Sequence, residues 1–195
     1  MFLGKELKRR IIMNNIQKNI ELNALYQEVI LEHFKRPRYK GRTDHCQYCH
    51  EGKNPLCGDT VTIFCEIKHD NKDPLLNLHF EGSGCSISQA SASIMCEALQ
   101  NVNLTETKKL LKHAEDIYTG KEKLNSDDLE ADLEALNGVS KFPVRIKCAA
   151  LPWKTLEILI AENFDAQGNP KPGCNKLTSC VQNHTKKLKV VSTED

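Results

Sequence analysis

The chain has 195 residues, with 39% hydrophobic residues, 27% charged residues and a formal net charge of +1. The length suits one compact domain with appendages, and the near-neutral balance gives no footprint for nucleic acid. No apolar run approaches membrane-spanning length, so the cytoplasm is the default address.

The opening stretch "MFLGKELKRRIIMNNIQKN" is basic but has no apolar core of signal-peptide length. Met13 offers an alternative start, and residues 1–18 are expected to be a polar N-terminal extension ahead of a domain over 19–164. Residues 21–35 carry Leu22, Leu25, Tyr26, Val29, Ile30 and Phe34 at helical spacing, and Pro37 stops that helix. The connection "RPRYKGRTDHCQYCHEGK" is basic and polar, and its second half can form a short edge strand. Val61, Ile63, Cys65 and Ile67 alternate along a strand over 60–69, and Leu76, Leu78 and Phe80 along another over 75–81. The turn "HDNKDP" joins them into an antiparallel hairpin.

After "GSGC" the period becomes helical over 86–100, where Ile87, Ser91, Ile94 and Ala98 share a face and small residues allow close packing. Thr105 is expected to cap a further helix ending near Tyr118. Ser126, Asp127 and Asp128 should open another, closed by Gly138. The stretch "KFPVRIKCAALPWKTLEILIAEN" supplies the last helix, with Leu151, Leu156 and Leu159 buried and Pro152 near its first turn or kinking it. Residues 165–195 read as a polar, flexible tail. The order of helix, strands and helices predicts an α+β fold: a small antiparallel sheet of about three strands against several helices.

Nine cysteines are many for a cytoplasmic chain, where disulfides are disfavoured, so metal or sulfur chemistry is indicated. Cys57 and Asp59 lie in the turn entering the first clear strand, in "NPLCGD". Cys85 follows the second strand at a glycine-flanked turn, and Cys148 sits near the start of the last helix. The ends of an antiparallel hairpin lie side by side, so Cys57, Asp59 and Cys85 should converge, and the last helix can deliver Cys148. Three thiolates and a carboxylate make a tetrahedral zinc set. Helix N-termini would add thiolate character to Cys85 and Cys148, and Arg145 and Lys147 would offset the remaining negative charge. Cys65 and Cys96 read as small buried hydrophobes. The run Cys46-Gln-Tyr-Cys49-His50 lacks a partner knuckle and reads as incidental exposed thiols or a weak accessory site. Cys174 and Cys180 in the tail have no assigned role.

The motifs "NPLCGD", "GSGCSISQASASIM" and "KFPVRIKCAALPWKTLE" resemble the three cysteine motifs of the NifU/IscU-type iron–sulfur assembly family, in particular its SufU branch. The resemblance runs from about Leu25 to about Ala161 and implies the SufE/NifU-like (IscU-like) fold. IscU-type proteins carry His immediately before the third cysteine; here Lys147 stands there, and the stretch around 118–138 resembles an insertion of the SufU branch. The chaperone-recognition segment LPPVK of IscU-type proteins is matched by "FPVR", Phe142 to Arg145.

The resemblance implies zinc held by Cys57, Asp59, Cys85 and Cys148. It implies that Cys57 accepts persulfide sulfur from a SufS-type cysteine desulfurase, whose own histidine replaces Cys57 on the metal. The sulfur then passes to a SufB-containing scaffold complex. Arg145 would stabilise the freed thiolate or guide the persulfide, or else form a surface ion pair. The alternative is a scaffold assembling a transient [2Fe–2S] cluster, or holding iron, on the same residues. A third reading is a purely structural zinc protein. By analogy the chain should be a monomer that meets its partners transiently, with no nucleic acid and no membrane.

Overall fold

The computed structural model describes residues 3–68, 74–121, 131–165 and 168–171. The chain runs through α1 (Leu3–Lys35), β1 (Tyr48–Asn54), β2 (Asp59–Lys68), β3 (Leu75–Ser83), α2 (Ser86–Ala98), β4 (Val102–Asn103), α3 (Leu104–Tyr118), α4 (Ala131–Glu134), a 3-10 turn (Ala135–Val139) and α5 (Pro143–Asn163). The strands form one antiparallel sheet in the order β1-β2-β3-β4. The expected α+β class holds, with β4 as a two-residue addition at the edge.

Alternation in the strands decides which face is buried. Val61, Ile63, Cys65 and Ile67 of β2 lie opposite Gly82, Phe80, Leu78 and Leu76 of β3, and directly opposed residues share a face. All except Gly82, which has no side chain, have buried hydrophobic side chains. Each large aliphatic or aromatic side chain buried there contributes about 1.5–3 kcal/mol relative to exposure. β1 forms the expected edge strand.

Helices α2 and α5 cover that face. The sequence assigns α2 one inward face, yet every residue from Ser88 to Cys96 is buried. The helix is enclosed by α1, α5 and the sheet, and its small side chains permit that. Ser91 bridges two layers: its Oγ accepts from Trp153 Nε1 at 2.9 Å and donates to the carbonyl of Ala149 at 2.7 Å. Leu151, Leu156 and Leu159 are fully buried, as expected.

Several boundaries differ from expectation. Helix α1 starts at Leu3 rather than Glu21, so residues 3–18 of the expected extension are helical. It ends at Lys35, two residues before Pro37. Tyr26 is buried, whereas Leu25 and Phe34 face solvent. Helix α3 is capped by Asn103, whose side chain accepts from Glu106 N–H at 2.7 Å, so Thr105 lies inside the helix. Asn103 wins because β4 ends there and its carboxamide reaches the third helical N–H. The expected opening at Ser126 to Asp128 lies outside the described residues. Gly138 falls within the 3-10 turn rather than closing a helix. Pro143 takes the first turn of α5, which leaves Pro152 in the helix interior. Having no N–H, Pro152 withdraws the donor that would ordinarily serve the carbonyl of Cys148, four residues earlier.

Candidate metal centre

Three chain reversals bring the predicted residues to one end of the sheet. Asn54 pairs with Asp59 as the last pair of the β1–β2 hairpin, so residues 55–58 form its loop. Both members of that pair point toward the helices, with 0% and 1% of their surface exposed. Gly58 adopts φ +71° and returns its N–H to the carbonyl of Asn54 at 2.9 Å. That left-handed position closes the loop and leaves Cys57 exposed at its tip.

The pairing of Thr60 with Ser83 carries the end of β3 past the start of β2. Cys85 then arrives beside Asp59, its N–H donating to Asp59 Oδ1 at 2.9 Å and its thiol lying 3.5 Å from Oδ2. Cys85 is also the N-cap of α2, and its sulfur accepts from the Ser88 N–H at 3.4 Å. The expected placement at a helix N-terminus holds for this thiol.

Cys148 behaves differently. Helix α5 begins at Pro143, so Cys148 lies beyond its first turn, where the dipole has largely faded. It is buried, with its sulfur 3.3 Å from that of Cys57 and 3.5 Å from Asn54 Nδ2. Burial pushes its thiol well above the usual cysteine range, and hydrogen bonds to Cys57 and Asp59 act in the same direction. The expected dipole assistance at Cys148 is therefore outweighed by desolvation. A cation is what this crowded set of acidic groups calls for.

Ligand atoms of Cys57, Asp59 and Cys148 all lie within 4.8 Å of one another. Cys85 stands outside that mutual set and touches it through Asp59. Zinc–sulfur bonds of ~2.3 Å place two tetrahedral sulfurs about 3.8 Å apart, so the 3.3 Å sulfur pair needs only slight spreading. Two thiols and a carboxylate at this spacing suit a metal ion, zinc or the iron of a cluster, with the Cys85 thiol adjacent through Asp59.

Arg145 is exposed on the first turn of α5, its guanidinium carbon 4.5 Å over the Phe142 ring. Lys147 is half-buried beside Cys148. Among the described residues the Cys46–Cys49–His50 run does not gather into a metal-ligand group. Cys46 is buried rather than exposed and donates to the carbonyl of Tyr48 at 3.1 Å, Cys49 is disulfide-bonded, and His50 Nδ1 lies 3.2 Å from Glu162. Cys65 and Cys96 are core residues, as expected, and burial raises both thiols far above their usual range. Cys174 and Cys180 lie outside the described residues.

Sequence reading missed two polar elements. The first is Asn54, a fully buried polar residue at the last, inward-facing position of β1. The second element joins α1 to α2 and α4. His33 Nδ1 lies 2.9 Å from Ser93 Oγ, and its Nε2 lies 3.0 Å from Asp132 and 3.8 Å from Glu97. Ser93 also accepts the Arg38 N–H at 2.8 Å, and the Arg38 guanidinium lies 3.5 Å from Glu97. That arrangement ties three helices together through hydrogen bonds, and the ligand atoms of His33, Glu97 and Asp132 also lie within 4.8 Å of one another, a second group of metal-ligand type. No described helix is long and apolar enough to cross a membrane.

Comparison with known proteins agrees with this arrangement. The NifU-like N-terminal domain family matches residues 25–149. The chain is 42% identical over 144 residues to the zinc-dependent sulfurtransferase SufU of Bacillus subtilis, covering 74% of this chain and 95% of that one. It is 35% identical over 147 residues to the iron–sulfur cluster assembly scaffold protein IscU of Streptococcus pyogenes, covering 75% of this chain and 89% of that one. A solved structure of a proposed iron–sulfur cluster assembly scaffold protein for the SUF system of Fervidobacterium islandicum superposes with a TM-score of 0.59 at 34% identity. That match covers 70% of this chain and 96% of that one. An N-terminal NifU-like structure from Brucella abortus gives a TM-score of 0.60 at 19% identity, covering 71% and 93%, which supports the fold alone. With the cysteine-and-aspartate cluster and the matched family on the same residues, the chain belongs to the NifU/IscU-like family of iron–sulfur cluster assembly proteins.

Proposed function

We propose that the chain is a zinc-dependent sulfur carrier of the SufU type, with Cys57, Asp59, Cys85 and Cys148 as the metal ligands and Cys57 as the sulfur acceptor. The observation that carries this reading is the inequality of the ligands. Asp59 and Cys148 are 1% and 3% exposed, whereas Cys57 is exposed at a loop tip. The buried pair can stay in place while Cys57 leaves and returns. Bound zinc would hold the sulfurs as thiolates and keep Cys57 subdued until a partner engages.

Cys57 then attacks the outer sulfur of a cysteine persulfide on the partner. The partner's S–S bond breaks, a new S–S bond forms on Cys57, and the partner's cysteine departs as thiolate. Gly58 gives the loop its freedom, and nothing lies within 4 Å of where a side chain would project. Leu56, Phe142 and Val144 are 58%, 47% and 59% exposed on the elements that carry Cys57 and Cys148. Large apolar side chains exposed around a reactive thiol suit a protein partner. The partner is a SufS-type, pyridoxal-phosphate cysteine desulfurase, and a SufB-containing scaffold complex receives the sulfur. Arg145 sits at the same rim, where leaving Phe142 would let it meet the persulfide. Cytoplasmic location and a monomer with transient partners complete the reading.

The test is cysteine desulfurase turnover with and without this protein, with mass analysis of Cys57. Stimulated turnover and a persulfide on Cys57 are expected, together with about one zinc per chain. If Cys57→Ser stimulates as well as wild type, the acceptor assignment fails. Protein purified with an iron–sulfur chromophore and no zinc would favour the cluster-scaffold function instead.

A further inference from the structure

The side chain of Asn54 is fully buried, and each end of its carboxamide has a different partner. The Leu56 N–H donates to Oδ1 at 3.1 Å, while Nδ2 faces Cys148 Sγ at 3.5 Å. Orientation follows from chemistry, because the Leu56 N–H can only donate and so selects the oxygen. The carbonyl of Asn54 also accepts the Gly58 N–H at 2.9 Å. One residue therefore grips the Cys57 loop at both Leu56 and Gly58 while donating to the sulfur of Cys148. Asp59, directly across the strand pair, plays the opposite part toward Cys85: it accepts, from the Cys85 N–H at 2.9 Å and from its thiol at 3.5 Å.

We propose that Asn54 is a positioning residue that couples Cys57 to Cys148: it orients the retained sulfur and sets the resting place of the sulfur that leaves. This rests on the reading of the site as a zinc-bound sulfur carrier. The N–H···S bond orients the Cys148 sulfur, as outer hydrogen bonds orient metal ligands generally. The Oδ1 contact holds Leu56, and with it the neighbouring Cys57, against the centre. Loss of Asn54 releases the loop and weakens metal retention together, which neither contact alone would do.

Two substitutions separate the contacts. Asn54→Asp keeps an acceptor for the Leu56 N–H but removes the donor and aims a carboxylate oxygen at the Cys148 sulfur. Asn54→Ala removes both. Zinc affinity is measured by competition with a chromophoric chelator, and the sulfur-to-cobalt charge-transfer band is recorded after loading cobalt(II). Alkylation of Cys57 in the zinc-loaded protein is timed by peptide mass analysis.

Asn54→Asp should lower zinc affinity by about 10–100-fold and shift the cobalt band. Asn54→Ala should do so too, and should also speed Cys57 alkylation by tenfold or more. The proposal is overturned if both variants keep zinc affinity and Cys57 alkylation within twofold of wild type. It is equally overturned if only the melting temperature of the metal-free protein falls, since that marks a purely structural residue. If Asn54→Ala does not fold, the near-isosteric Asn54→Asp alone decides through zinc affinity and the cobalt band. Failure of wild-type protein to bind zinc or take sulfur on Cys57 would instead remove the parent reading, so the two failures are distinct.

Discussion

Gly84 offers the sharpest test of how the centre is built. It has φ +156°, a conformation that residues with side chains rarely adopt. A Cβ added there would lie 2.5 Å from Asp59 Oδ1, 2.8 Å from Asp59 Cγ and 2.8 Å from Ser88 Oγ. Asp59 is 1% exposed and cannot retreat into solvent, so Gly84→Ala must shift the backbone or push the carboxylate aside. Either movement breaks the 2.9 Å bond from the Cys85 N–H to Asp59. A hydrogen bond to a charged group contributes about 1.5–3 kcal/mol. Forcing a side chain into a glycine-favoured conformation costs about 1–3 kcal/mol more. Together they predict a loss of about 2.5–6 kcal/mol, or roughly 5–24 °C in melting temperature for a chain of this size. Thermal unfolding of the metal-free variant by circular dichroism reads this loss. Zinc competition reads the displaced ligand, with affinity expected to fall at least about tenfold. A Gly84→Ala protein that melts within about 2 °C of wild type and holds zinc equally well would refute the packing argument.

Two further outcomes are expected away from the metal centre. Ser91→Ala strips the buried Trp153 Nε1–H of its acceptor, so stability should fall by about 1–3 kcal/mol in denaturant unfolding, with little change in zinc affinity. Cys65 and Cys96 have folded-state thiols raised far above their unfolded value by burial. Their contribution is complete below the unfolded thiol range, near pH 8–9, and is lost as pH rises further, because the unfolded chain releases protons that the folded chain keeps. Stability should fall by up to about 1.4 kcal/mol per pH unit per thiol above that range, and Cys96→Ala should flatten the slope between pH 9 and 11. An unchanged slope would show that Cys96 does not titrate between the two states.

The sequence by itself determined what local chemistry determines. Alternation in β2 and β3 named the buried face, because successive residues of a strand must point to opposite sides. The hairpin brought Cys57, Asp59 and Cys85 together, because antiparallel strands return to their starting end. Three spaced cysteine motifs carried the family resemblance. Helix ends were less legible, since Asn103 and Thr105 are both good caps and only the end of β4 chooses between them. Pro152 showed the limit of local rules: tertiary packing around Ser91 and Trp153 holds a helix through a residue that ordinarily breaks one.

Only the tertiary structure decided the character of the centre. Cys148 approaches from a helix some ninety residues beyond Cys57 in the chain, and no local pattern states that their sulfurs meet at 3.3 Å. Nor does spacing say that Asp59 and Cys148 are buried while Cys57 is exposed, or that Asn54 touches both Cys148 and the Cys57 loop. Burial and hydrogen-bond partners depend on which distant elements pack together, and that is settled only when the whole core closes.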